Sequence, residues 1–115
     1  MGTNDGRILT YRWNGSNFIE INGGSVVQQG TKIESVSYYQ ERSILMATDN
    51  DRYFRLYQVN ADYTLSATFT SPQVTSVCNR AVLFEDSYSN LMLALTTVVG
   101  ELIIGKYFMG GWIIH

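Results

Sequence analysis

The chain is short of the residues on which most enzymes and secreted scaffolds depend. Its 115 residues include one cysteine, one histidine and one proline. A lone Cys78 closes no disulfide within the chain, so covalent stapling is excluded. Cys78 also has no histidine near it in sequence, and reads as a structural thiol rather than a nucleophile. The single histidine, His115, stands at the last position, which suits neither a histidine-based triad nor a multi-histidine metal centre. One proline in a 45% hydrophobic chain excludes a low-complexity or disordered composition. Long apolar runs are missing too. Leu91-Met92-Leu93-Ala94-Leu95 is among the longest, against the ~18 residues of a membrane helix. Charge of one sign is lacking, with 8 basic and 10 acidic residues scattered along the chain. No phosphate-attracting field results, and no nucleic-acid partner is expected. Gly23-Gly24 and Gly110-Gly111 read as turns, not as phosphate-cradling loops. Met1 to Asp5 is polar and carries no signal-peptide core. The expectation is a chain with no cofactor, no metal and no membrane partner, cytoplasmic or secreted without a classical signal.

Helical spacing is also absent: no stretch beyond about ten residues sustains it, whereas aromatic and β-branched residues are frequent. The chain therefore reads as all-β. Strands are expected over residues 6–14, 18–21, 33–39, 43–48, 53–59, 64–70, 74–84, 91–97, 102–108 and 112–115. Asn14-Gly15 marks a tight hairpin turn. Asn22-Gly23-Gly24 reads as a break, with residues 25–28 a short strand or loop. In the run from Ile33, the apolar positions Ile33, Val36 and Tyr38 are spaced by three and then two, an imperfect alternation.

A pattern occurs three times: a polar or glycine-bearing turn, then a strand rich in β-branched and aromatic residues. The copies are Asn4-Asp5-Gly6-Arg7-Ile8-Leu9, Asn50-Asp51-Arg52-Tyr53-Phe54-Arg55 and Val98-Val99-Gly100-Glu101-Leu102-Ile103. Gly6, Arg52 and Gly100 hold the same place, 46 and 48 residues apart. Strand repeats of that length point to propeller blades. The grouping is a half-blade over about residues 1–30 and four-stranded antiparallel blades over about 31–71 and 72–115. Two and a half blades do not close a ring, so several copies assemble into one, or the chain is a piece of a longer propeller. A compact sandwich of about ten strands is the structural alternative.

Further residues carry two resemblances. The spacing near 46 is similar to that of WD-repeat propellers, although no copy holds a Gly-His or Trp-Asp signature. Phe54-Arg55-Leu56-Tyr57 with Asp62-Tyr63-Thr64-Leu65, and Ile8-Leu9-Thr10-Tyr11-Arg12-Trp13-Asn14-Gly15, resemble the two halves of a blade in the fungal and bacterial fucose-specific lectin propellers. Leu102-Ile103-Ile104-Gly105-Lys106-Tyr107 with Gly111-Trp112 is similar to the second half. The resemblance implies a ring of short chains that grip a sugar with an arginine, a glutamate and an aromatic wall. Arg55 is the one match to the arginine. The glutamate position holds Thr10, Ala67 and Ile104, so the acidic partner of that design is missing.

Sugar rings stack their C–H faces on aromatic rings, and their hydroxyls suit planar donors and acceptors. Trp13, Tyr57, Tyr107 and Trp112 fall at repeat positions, with Arg55 and Arg12 as donors. The candidate ligand-binding set is Trp13, Arg55, Tyr57, Tyr107 and Trp112, set against the alternative that these rings pack between blades. Asp49-Asn50-Asp51 has calcium-type oxygens but reads as a turn. Glu85-Asp86 reads as a solvated loop. Asn14-Gly15-Ser16 fits a glycosylation acceptor should the chain be secreted. The expected function is non-catalytic glycan recognition by an oligomeric propeller; the alternative is a WD-repeat-like protein-interaction scaffold.

Overall fold

The computed structural model describes residues 1–27, 31–108 and 111–114. Among them are ten strands and one turn of 3-10 helix, Gln40–Arg42. Strands β1 (Arg7–Trp13) and β2 (Phe18–Val27) form a two-stranded antiparallel sheet. Strands β3 (Ile33–Tyr39), β4 (Ile44–Asp49), β5 (Phe54–Val59) and β6 (Leu65–Thr70) form a four-stranded meander. Strands β7 (Cys78–Glu85), β8 (Leu91–Thr97), β9 (Leu102–Phe108) and β10 (Gly111–Ile114) form a second one. The fold is all-β, and the described residues form three sheets and no closed ring.

The threefold pattern is built from one turn. In residues 3–7, 49–53 and 97–101 the first residue's N–H donates to the fifth residue's carbonyl, at 2.9, 3.1 and 3.0 Å. The fourth residue's N–H donates back to the first carbonyl. A side-chain oxygen of Thr3, Asp49 or Thr97 then accepts the fifth residue's N–H, at 2.9, 3.1 and 3.1 Å. The fourth residues, Gly6, Arg52 and Gly100, have φ of 84, 71 and 88°. This is a type I turn closed by a left-handed residue, which suits the twist of a hairpin. Residues 60–64 and 86–90 repeat the backbone pattern with Tyr63 and Ser89 left-handed.

Below the turns the second and third sheets match position by position. Both inner hairpins slip register after their first pair, at Ile33/Ser35 and at Cys78/Arg80. That bulge accounts for the three-residue step from Ile33 to Val36: one extra residue returns both to the same face. The third sheet packs on the second through β7, beside β3 and β4. Met46, Phe54 and Leu56 meet Cys78, Leu83, Leu91, Leu93 and Leu95 in one core. On the other face of the second sheet, Ile33, Ala47 and Tyr57 pack against Ile8 of the first. Strand β5 is thus covered on both faces, and Phe54 to Tyr57 are all buried. Thr48 donates to the Cys78 carbonyl at 3.0 Å, and Ser35 Oγ lies 2.7 Å from Thr48 Oγ1.

Two boundaries differ from the sequence reading by more than one residue. Asn22-Gly23-Gly24 does not end a strand, because β2 runs through it. The ladder steps there from Leu9↔Ser25 to Tyr11↔Glu20, so the break is a bulge within the pair. Residues 74–77 are not strand; Val74 N–H donates to the Arg52 carbonyl at 2.9 Å, and the Val77 carbonyl accepts from Val98 at 2.9 Å. Their backbone serves the turns. The expectations placed on Gln28 and His115 lie outside the described residues.

The middle repeat differs from its neighbours in one buried pair. Asp49 Oδ2 lies 2.5 Å from Arg55 Nη1, with side-chain exposures of 0 and 8%. Arg55 also stands over the Tyr53 ring at 5.4 Å. The other repeats hold Thr3 with Leu9 and Thr97 with Ile103 in these places. Asp49→Thr alone strands a buried cation and costs about 3–5 kcal/mol. Asp49→Thr with Arg55→Ile installs the neighbours' pair and restores stability to near wild type. Urea denaturation of the two single variants and the double checks this coupling.

Candidate functional site

Where β5 and β9 end, the second and third sheets diverge and leave a cleft of about 280 Å³. Ile44, Leu56 and Leu91 form its apolar lining, and Phe69, Tyr107 and Trp112 its aromatic wall. The wall follows from strand pairing. Trp112 lies directly across from Tyr107 on neighbouring strands, so their rings meet edge to face at 5.6 Å and 66°. Phe69, on β6, meets Trp112 from the other sheet at 6.5 Å. Phe54 backs Phe69 at 6.0 Å. Three rings from two sheets thus hold one another in place.

The polar rim comes from Arg42, Gln58 and Thr68. Arg42 ends the 3-10 turn after β3 and reaches across to the end of β7 and the loop that follows it. Its Nε donates to Glu85 Oε1 at 3.0 Å and its Nη2 to the Ser89 carbonyl at 2.9 Å. Gln58 Nε2 donates to the Ser43 carbonyl at 3.1 Å. Among the described residues, Arg42 Nη1 donates no hydrogen bond to the protein and Gln58 Oε1 accepts none from it. One fixed donor and one fixed acceptor therefore border the aromatic wall. The Ser89 carbonyl is presented by the turn of residues 86–90, in which Asp86 Oδ1 accepts from Tyr88 and Asn90 N–H groups. The Asn90 side chain and backbone hold the Asp86 carboxyl below the ordinary carboxylate range.

The five sequence-selected residues fall in three places. Tyr107 and Trp112 share the cleft. Arg55 and Tyr57 are buried: Arg55 is paired with Asp49, and Tyr57 lies in the core between the first and second sheets. Burial also pushes the Tyr57 hydroxyl up. Trp13 is 55% exposed near the tip of the β1–β2 hairpin, against Phe18 at 5.0 Å. Arg12 lies by Glu20 and Asp62 on that side of the molecule. Arg42, Gln58 and Phe69 were not singled out by sequence. Arg42 sits in a polar turn, and its contacts are 43 and 47 residues away; nothing local announces them.

The polar groups of the remaining candidates are already engaged. Asp49 Oδ1 accepts the N–H groups of Asp51 and Tyr53, and its Oδ2 faces Arg55. That carboxylate serves the turn. A second, larger groove of about 440 Å³ opens at the start of β5 and β9, lined mainly by Phe54, Pro72, Val74, Leu102 and Ile103. Its acidic group, Glu101, already accepts from Thr75 and Ser76 at 3.2 Å each. Cys78 is buried, and burial pushes its thiol up, with the charges of Asp49 and Glu101 adding to the effect. Among the described residues no three His, Cys, Asp or Glu side chains gather as metal ligands, and no helix is long and apolar enough to cross a membrane.

Cys78 is expected to resist a water-soluble disulfide reagent in the native protein and to react fully in urea. A thiol titration under the two conditions reads this. Against known proteins, no family model matches the chain, and no curated protein matches it.

Proposed function

We propose that this chain is a non-catalytic glycan-binding module of the propeller-lectin type, and that it takes a sugar in the cleft between its second and third sheets. One juxtaposition carries the reading: a Tyr107–Trp112–Phe69 wall beside Arg42 Nη1 and Gln58 Oε1. An aromatic face accepts the C–H side of a sugar ring, and a guanidinium with an amide oxygen serves a pair of its hydroxyls. A volume of about 280 Å³ is at the small end for ligand sites, near the size for one sugar ring. Arg55, which matches the arginine of the lectin design in sequence, is buried against Asp49, so Arg42 is the donor at this cleft and Trp112 part of its aromatic wall. Gln58 stands in as the acceptor where that design uses glutamate.

In this reading the four-stranded sheets are blades and the first sheet is half of one. Ring closure by further copies is supported by the outer face of the third sheet. Val82, Phe84 and Leu102 are exposed there, Leu102 at 64%. Their equivalents in the second sheet, Ser37, Tyr39 and Phe54, stand on the face packed against the third. The same apolar face favours the second reading, a protein-interaction scaffold in which the cleft is only a packing seam.

A glycan array followed by tryptophan-fluorescence titration in a Trp13→Phe background tests the reading. Binding is expected to quench Trp112. On the array Trp112→Ala abolishes binding and Trp13→Ala leaves it unchanged, and in the titration Arg42→Ala weakens it at least tenfold. A folded sample that gives no array signal and no quench rejects glycan binding and leaves the scaffold.

A further inference from the structure

We propose that the open side of β1 is a receptor edge for an apolar two-stranded β-hairpin supplied from outside these 115 residues. The inference is independent of the sugar cleft and rests on the repeat. β1 stands in its repeat where β5 and β9 stand in theirs, since each follows the same turn. β5 lies between β4 and β6, and β9 between β8 and β10. β1 has β2 on the side of β6 and β10. On its other side, Gly2 bridges Ile8, Leu9 N–H donates to the Met1 carbonyl at 2.7 Å, and the Met1 amine donates to the Leu9 carbonyl at 2.8 Å. Met1 thereby takes the place that Ala47 holds opposite Arg55. The next partners on β5 are Leu45 for Tyr57 and, through a 2.8 Å bond, Ser43 for Val59. Their counterparts on β1 are Tyr11 and Trp13. Among the described residues no strand pairs with these two on that side. An edge of this kind takes an added strand through its backbone groups.

The floor beside this edge gives the same answer. A groove of about 390 Å³ runs between β1 and the second sheet, lined there by Tyr11, Val36, Tyr38 and Leu45. By the shared pairing, Val36, Tyr38 and Leu45 correspond to Ala81, Leu83 and Leu93. In the third sheet these positions are covered by β3 and β4, and Leu83 is 4% exposed. Tyr38 is 53% exposed. Two strands with the pattern of β3–β4 cover one set, and the equivalent two are absent over the other. A whole four-stranded sheet from a second copy does not fit, because β1 and β2 hold the places of its outer strands. The occupant is therefore a hairpin, apolar at alternate positions on its inward face, whose second strand runs antiparallel to β1.

The test uses the intact chain and two synthetic hairpins with the sequences of residues 31–46 and 76–94, which stop short of the places that Met1 and Gly2 hold, plus scrambled controls. Isothermal titration is expected to give one-to-one binding of at least one hairpin, with a raised Tm and slowed amide exchange at Tyr11 and Trp13. Val36→Asp and Tyr38→Asp replace exposed side chains, so the fold survives, and each is expected to weaken the hairpin at least tenfold. Three results overturn the proposal. One is no binding beyond the scrambled controls. Another is binding indifferent to both substitutions. The third is self-association through β1 that excludes the hairpins.

Discussion

A five-residue turn fixes the geometry on which the other contacts depend. Its first residue supplies a side-chain oxygen that accepts a backbone N–H, and its fourth residue is left-handed. The conformation costs about 1–2 kcal/mol where the fourth residue is not glycine, as at Arg52. The turn's hydrogen bonds, each worth about 1 kcal/mol net, offset that cost. In return the turn sets hairpin register, and register decides which residues each strand shows to each face. Once Thr3, Asp49 and Thr97 start their turns alike, Ile8 and Phe54 point toward the next sheet in the same way.

The second sheet is where these consequences meet. Both of its faces are covered, so β5 loses the polar-out alternation of a half-exposed strand and buries four residues in a row. A buried arginine in such a strand needs a counter-charge, and Asp49 supplies one from the preceding turn. The same sheet contributes Phe69, Gln58 and Arg42 to the cleft. The cleft geometry is therefore tied to the packing of two sheets, and the Arg42–Glu85 bond spans the gap between them.

What the sequence revealed was local. The spacing of Gly6, Arg52 and Gly100, the all-β reading and the order of two, four and four strands depend on turn chemistry and alternation, which act over a few residues. Even the irregular step from Ile33 to Val36 was visible and has its cause in a bulge. What stayed hidden was coverage. Alternation says that Arg55 and Tyr57 share a face of β5, but not that Ile8 and Ala47 close it. Those two therefore looked equivalent to Tyr107 and Trp112, which border a cleft. Arg42 was hidden for the same reason, since its bonding partners lie in another sheet.

The stacking order also grades stability along the chain. Sheets that touch only their neighbours behave as a short linear array, whose stability is a sum of unit and interface contributions. The first sheet has two strands and one described interface, with its hairpin tip at Trp13 and Phe18 in solvent. The second has four strands and an interface on each face. Opening can therefore begin at the β1–β2 end without disturbing the seam that holds the cleft. A protease that traps opened segments meets that hairpin first and the second sheet last.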